Sequence, residues 1–302
     1  MSPPKVASIG EVLWDLLPSG PQLGGAPANL ACHVRALGGD SSVISRVGDD
    51  ALGRRARVHL GNRGVRLDGL ETDPSAPTGT VEVELDSAGK PRFTILENTA
   101  WDQITCSPVA LDLVSAADAV GFGTLAQRTP AAREALHRLL DASGAARLIL
   151  CDINLRDPFH TPEVIEASLR AATALKLNET ELPALAAQFH LAGGLEDCAE
   201  SLAQRFALDT VILTLGAAGC RVWCDDVWTT EPGRNVPVVD TVGAGDSFTA
   251  AFLMGRLLGW SVPTTVRLAT DIAAYVCTQS GATPELPDSL TGRFLKDVSR
   301  EI

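Results

Sequence analysis

The run Asp240-Thr-Val-Gly243-Ala-Gly245-Asp246-Ser-Phe puts two glycines and a carboxylate between an apolar strand-like stretch and a helical one. Glycine spacing of this kind lets the N–H groups of Gly243, Ala244, Gly245 and Asp246 converge, and the helix that follows adds its positive end. The expected product is an anion hole. An ionised Asp246 beside gathered phosphate charge could take a proton from an attacking hydroxyl. Taken alone, an Asp at this point is equally a helix cap. The chain has no Gly-x-x-x-x-Gly-Lys loop and no Asp-Phe-Gly, which excludes those two phosphate machineries.

A second segment, Leu23-Gly24-Gly25-Ala26-Pro27-Ala28-Asn29, leads into a helix with Pro27 in its first turn and Gly38 at its end. Leu30, Val34 and Leu37 fall on one face. Gly24 and Gly25 allow a ligand close to the backbone, and the Asn29 amide offers a donor and an acceptor to sugar hydroxyls. A tight turn with a cap explains the same residues. Asp152-Ile-Asn154-Leu-Arg156 stands just past a strand end, where open α/β sheets place ligands, and the Arg156 guanidinium could grip phosphoryl oxygens in bidentate fashion. A solvated arginine is the plainer alternative.

These segments need a scaffold. Short apolar runs at 6–9, 42–47, 119–122, 148–152, 174–177 and 210–215 read as strands covered on both faces. Between them lie helical patterns at 51–62, 130–143, 162–173, 179–189 and 196–206, so the rhythm is α/β with a mainly parallel sheet. One stretch departs from it. Thr80 to Asp86 alternates with period two, Ser-Ala-Gly-Lys turns it, and Pro91 to Leu96 returns, which predicts an antiparallel hairpin outside the main sheet. Glu82, Glu84 and Asp86 face one side; Val81, Val83 and Leu85 face the other. With strand-like pieces at 11–16 and 22–23 it could form a small sheet that caps a cleft.

Together the two glycine-rich segments resemble the paired signatures of the ribokinase-like (PfkB) family of carbohydrate kinases. Gly25-Ala-Pro-Ala-Asn29-Leu-Ala31 is followed by Gly38 and Gly48 at the family's intervals, and Asp240 to Phe248 matches the second signature. The resemblance spans nearly the whole chain. It implies a three-layer ribokinase-like fold with a small β-sheet lid, one kinase domain over 1–302, and lid segments at about 11–24 and 78–98. It implies ATP as phosphate donor, Mg²⁺, and Asp246 as general base. Asn178-Glu-Thr-Glu181 looks like the family's Asn-x-x-Glu motif, so Glu181 would organise Mg²⁺ through water; unaided, that run reads as a cap with two solvated glutamates. Thr214-Leu-Gly216 resembles the nucleotide-contacting motif, although a β-turn accounts for it too. Asn178 and Thr270 join the nucleotide set by the same likeness.

Asp15 matches the family's substrate aspartate, where a carboxylate accepting two hydroxyl hydrogen bonds would reject deoxy sugars. The likeness also implies a monovalent cation, such as K⁺, beside the anion hole, held by the Asp240 carboxylate and the carbonyls of Val242, Val276, Gln279 and Gly281. Glu285 stands where related sequences often carry Ser or Ala, adding charge to that site or altering its ion preference. The N-terminal third looks most like bacterial fructokinases. Trp14, Trp101 and Asp102 are expected to shape the sugar end, though a tryptophan is more often core. Ribose, 2-keto-3-deoxygluconate and nucleosides are alternative acceptors, and a sugar-binding regulator that lost transfer is the non-enzyme alternative.

Composition narrows the classes. The net charge of −12 argues against a nucleic-acid partner. No charge-free apolar run approaches the ~18 residues of a membrane span. Seven scattered cysteines without a Cys-x-x-Cys pair read as reduced thiols, and with no signal-like start the expected location is cytoplasmic. A lone hairpin is marginal in water, so the dry face of the lid is a candidate homodimer surface.

Overall fold

A computed structural model describes residues 2–18, 20–85 and 91–300. Its main sheet has nine strands, numbered in chain order. Across the sheet they lie as β13 (Val227–Glu231), β12 (Cys220–Cys224), β11 (Thr210–Thr214), β10 (Ala174–Asn178), β9 (Leu148–Asp152), β8 (Ala119–Gly123), β1 (Lys5–Ile9), β4 (Asp40–Gly48) and β5 (Leu70–Asp73). Pairing is parallel from β11 to β5 and antiparallel in β11–β12–β13. A second sheet runs β3 (Gly20–Gly24), β2 (Leu13–Leu17), β6 (Gly79–Leu85) and β7 (Pro91–Ile95).

Helices cover both faces of the main sheet, and the period-two alternation of its strands decides which side chains meet which layer. Ala7, Ile9, Leu175 and Leu177 point into one apolar layer with α4 (Pro130–Ala142), α5 (Pro162–Ala171), α6 (Glu181–Phe189) and α7 (Leu195–Phe206), flanked by α3 (Pro108–Ser115). Val6, Leu150, Ala174 and Ile212 point into the other, under α1 (Ala26–Ala36), α8 (Ala244–Leu257), α9 (Val262–Cys277) and α10 (Asp288–Arg300). A large side chain such as Phe252, 0% exposed, contributes about 1.5–3 kcal/mol by leaving water. Helix α2 (Ala51–Asn62) packs with the small sheet and β4 through Trp14, Val43, Val47, Ala56 and Leu60.

The three-layer expectation and the separate small sheet both hold. The predicted 80–86 and 91–96 strands are β6 and β7, joined in the register Val81↔Ile95 to Leu85↔Pro91, while Asp86 and the Ser-Ala-Gly-Lys turn lie outside the described residues. Helix α2 has the bounds read from sequence, and Asp50 caps its start by accepting from the Gly53 amide at 2.7 Å. Helix α6 begins at Glu181 rather than 179, since Asn178 caps it: its Oδ1 accepts from the amides of Thr180 and Glu181. Helices α3, α9 and α10 were not foreseen. All seven cysteines are free. Among the described residues no helix is long and apolar enough to cross a membrane.

Candidate active site

Strand ends and helix starts converge at the carboxyl edge of the parallel strands, the position at which an open α/β sheet leaves a crevice. Asp246 lies in the first turn of α8, whose N-cap is Gly243 at φ +77. Only glycine suits that corner: the dihedral is left-handed, and a Cβ would run into the Ala282 carbonyl. The Asp240 carboxylate ties the turn to the 276–285 loop by accepting from the amides of Val242 at 3.0 Å and Gly281 at 3.2 Å. The Ala244 amide turns onto the Thr241 carbonyl at 3.3 Å, which removes it from the four expected to face an anion.

Asn29, buried on α1, donates from Nδ2 to Asp246 Oδ2 at 2.8 Å and so joins the two glycine-rich segments directly. Burial first, then the nearby Asp152 charge, pushes the Asp246 carboxyl up to about 6; Lys176, Asn29 and Arg156 pull the other way. Asp15, half-buried on β2, is raised by burial against the opposing pull of Arg156. Gly24, on the adjacent strand β3 opposite Leu13, lies diagonal to Asp15, and a Cβ there would come 2.5 Å from Asp15 Oδ2. Gly25, at φ +101, lets the chain pass the Glu11 carbonyl. These two glycines therefore make room for Glu11 and Asp15 rather than for a ligand alone. Arg156 is exposed, donates to the Leu155 carbonyl, and acts electrostatically on Glu11, Asp15 and Asp246.

At the neighbouring strand ends Asn178 and Thr214 are register partners, and Gly216 follows at φ +53. Glu181 is buried, with Oε1 accepting from the Leu155 amide at 3.0 Å and Oε2 from the Asn178 amide at 2.8 Å. Each oxygen retains acceptor capacity that a water of a hydrated Mg²⁺ could use, and no cluster of three His, Cys, Asp or Glu able to hold a metal occurs among the described residues.

Several expected positions fall elsewhere. Trp101 is 0% exposed with the Arg128 guanidinium 3.8 Å over its ring, so it offers no surface to a sugar. Asp102 is bound by the same arginine at 2.6 Å. Trp14 donates its indole N–H to the Leu52 carbonyl at 3.1 Å and packs away from its strand neighbour Asp15, because consecutive strand residues face opposite sides. Thr270 is buried in α9, with its hydroxyl donating to the Val266 carbonyl at 2.9 Å and lying 3.6 Å from Cys220 Sγ. Around Asp240, the Val276 carbonyl accepts from the Gln279 backbone amide at 3.0 Å, the Gln279 side chain donates to the Thr278 hydroxyl at 2.9 Å, and Glu285 is exposed.

Two groups escaped the sequence reading. Glu11, after β1, is 4% exposed, its Oε2 has no partner, and burial pushes its carboxyl up to about 7. It lines, with Asp152, Asn154, Asp246 and Thr249, a cavity of about 20 Å³, room for about one water. Lys176 hides in the apolar strand β10 and pairs with Asp152 at 2.5 Å. A larger cleft of about 430 Å³ lies at the opposite end of the strands, beside Lys5, Asp40 and Arg66, and none of the candidate residues lines it.

The family model described as pfkB family carbohydrate kinase matches residues 21–289. A fructokinase of Klebsiella pneumoniae is 33% identical over 301 residues, covering 94% of this chain and 96% of that one. The structure of an uncharacterized sugar kinase from Pyrococcus horikoshii in complex with ATP superposes with a TM-score of 0.81 at 29% identity, over 97% of this chain and 99% of that one. An Escherichia coli structure described as a ribokinase II, in complex with ATP and Mg²⁺, shares the fold at a TM-score of 0.84 and 22% identity, over 98% and 99% of the two chains.

Proposed function

Given that this chain belongs to the pfkB family of carbohydrate kinases, we propose that it is a fructokinase whose general base is Asp246. The carrying observation is the Asp246 carboxylate itself, half-buried at the start of α8, held by Asn29 at 2.8 Å and acted on by the Arg156 charge. The fructose assignment takes its support from the Klebsiella pneumoniae relative, which is named fructokinase and matches along nearly its whole length.

Asp15 and Asn29 orient the sugar, with its primary hydroxyl toward Asp246. The hydroxyl proton passes to the Asp246 carboxylate as the sugar oxygen's electron pair forms a bond to the γ-phosphorus. The bond from that phosphorus to the β,γ-bridging oxygen breaks, and its electrons leave with ADP. The amides of Gly243, Gly245 and Asp246 and the helix end face the transferring group, and Arg156 balances its charge. Asn178, Thr214 and Gly216 receive the nucleotide at the ends of β10 and β11. Glu181 would hold a hydrated Mg²⁺ through water, and that ion would supply charge neutralisation on the phosphates. The four-stranded sheet serves as the lid, in segments 11–24 and 78–98, and excludes water that would otherwise consume ATP.

The whole of 1–302 acts as one catalytic unit. The Asp240 carboxylate with the carbonyls of Val242, Val276, Gln279 and Gly281 would hold a monovalent cation, and added K⁺ should then raise turnover. A homodimer through the lid is the corresponding assembly proposal; Val81 of its dry face is already 6% exposed within one chain.

Protein, Mg-ATP and a panel of fructose, ribose, 2-keto-3-deoxygluconate and nucleosides, followed by ADP release, tests acceptor and chemistry together. Fructose should give the fastest release. Release with another acceptor reassigns the substrate, and sugar binding without ADP would make the chain a regulator. Asp246→Asn should lower turnover at least ~10²-fold; near-normal turnover would remove Asp246 as base.

A further inference from the structure

Four acids gather where β1, β9, β10 and α8 meet: Glu11, Asp152, Glu181 and Asp246. They act on one another electrostatically. Two cations stand against them. Arg156 is exposed on its loop, whereas Lys176 is 7% exposed and held in the layer between the sheet and α8. Lys176 and Asp152 are register partners on β10 and β9, with Nζ 2.5 Å from Asp152 Oδ2. The ammonium reaches under the glycine turn: a Cβ added to Gly245 would lie 3.2 Å from Nζ.

Stability does not account for this placement. Taking an ammonium out of water costs several kcal/mol, and the positive end of α8 adds repulsion. A hydrocarbon side chain would fill the same strand position as Leu175 and Leu177 do on the other face. What the position does offer is a fixed charge next to a carboxylate that must be ionised among three other acids.

We propose that Lys176, anchored by Asp152, is a positioning residue that sets a fixed positive charge beneath the Gly243-Ala-Gly245 turn, holding Asp246 ionised before transfer and balancing phosphoryl charge during it. This rests on Asp246 being the base. Burial works to lower the Lys176 pKa, but Asp152, Asp246 and Glu181 outweigh it and hold the ammonium above its ordinary value. On Asp246 the two partners oppose each other: besides burial, Asp152 raises its pKa and Lys176 lowers it.

That opposition gives a test. The pH profile of kcat, with KM for Mg-ATP and sugar, is measured for Lys176→Met, Lys176→Gln, Lys176→Arg and Asp152→Asn. Lys176→Met and Lys176→Gln should lower kcat at least ~10-fold with KM changed less than about twofold. Their acid limb should move to higher pH, the Asp152→Asn limb should move to lower pH, and Lys176→Arg should restore much of kcat. Should Lys176→Met not fold, Lys176→Gln keeps a donor for Asp152 and removes the same charge. An acid limb that stays in place in the Met and Gln variants, or moves the same way as in Asp152→Asn, overturns the inference. If Asp246→Asn is inactive while those limbs stay, only the role of Lys176 falls; if Asp246→Asn turns over normally, it is the base that was misassigned.

Discussion

Asp246 and Glu11 carry the same burden in different degree: each is an acid withdrawn from water, with a pKa pushed up to about 6 and about 7 respectively. A base at about 6 is ionised for most of the population near neutrality, so kcat/KM for the sugar should rise through that pH in a steady-state profile. Stability runs opposite. Both carboxyls bind their proton more tightly folded than unfolded, so stability falls as pH climbs from the unfolded pKa through the folded one. Asp246→Asn and Glu11→Gln should therefore raise Tm at about pH 8, and that gain should vanish below about pH 4, measurable by thermal melts across pH. Asp246, Asn29 and Asp15 were legible because their neighbours in sequence carry the pattern. Glu11 and Lys176 were not: one follows a strand without any motif of its own, and the other sits inside an apolar run where periodicity says only that a strand passes.

Arg128 and Trp14 are among the residues that join the small sheet to the body. Arg128, just before α4, lies 3.8 Å over Trp101 and 4.8 Å over Phe159, binds Asp102 through both Nε and Nη2, and donates to the Leu96 carbonyl just after β7. Arg128→Ala would strand a carboxylate that is 1% exposed, at a cost of about 3–5 kcal/mol. A clear fall in Tm is expected, and, with the root of β7 released, more ADP formed from ATP in the absence of sugar. Here the sequence misled. Trp101 and Asp102 follow the hairpin so closely that a place at the sugar end looked natural, yet their partner comes 26 residues after Asp102 and no spacing rule connects them. Strands β1, β4, β8, β9, β10 and β11 were legible because continuous apolar runs between turn residues have few other readings. Helix α9 was not, since its pattern of Val266, Ala269 and Ile272 is diluted by threonines and begins straight after another helix.

Taken whole, the molecule is an acid that binds an anion. With a net charge of −12, its long-range field opposes Mg-ATP even though the local site welcomes it. Screening acts on the first and much less on the second. Modest added salt should thus raise kcat/KM for Mg-ATP while leaving that for the neutral sugar unchanged, a comparison that a stopped-time assay at several ionic strengths can make.

The small sheet also constrains engineering. Its strands come from two stretches of chain, β2–β3 and β6–β7, with α1, β4, α2 and β5 lying between them, and among the described residues the strand pairing that joins the halves is the parallel one of Leu13–Leu16 with Gly79–Glu82. Neither half is a portable cassette. A chimera that imports one from a relative with another acceptor would present a mismatched edge along β2 or β6, with unpaired amides open to other chains. Exchanging acceptor preference between relatives calls for both halves to be grafted together.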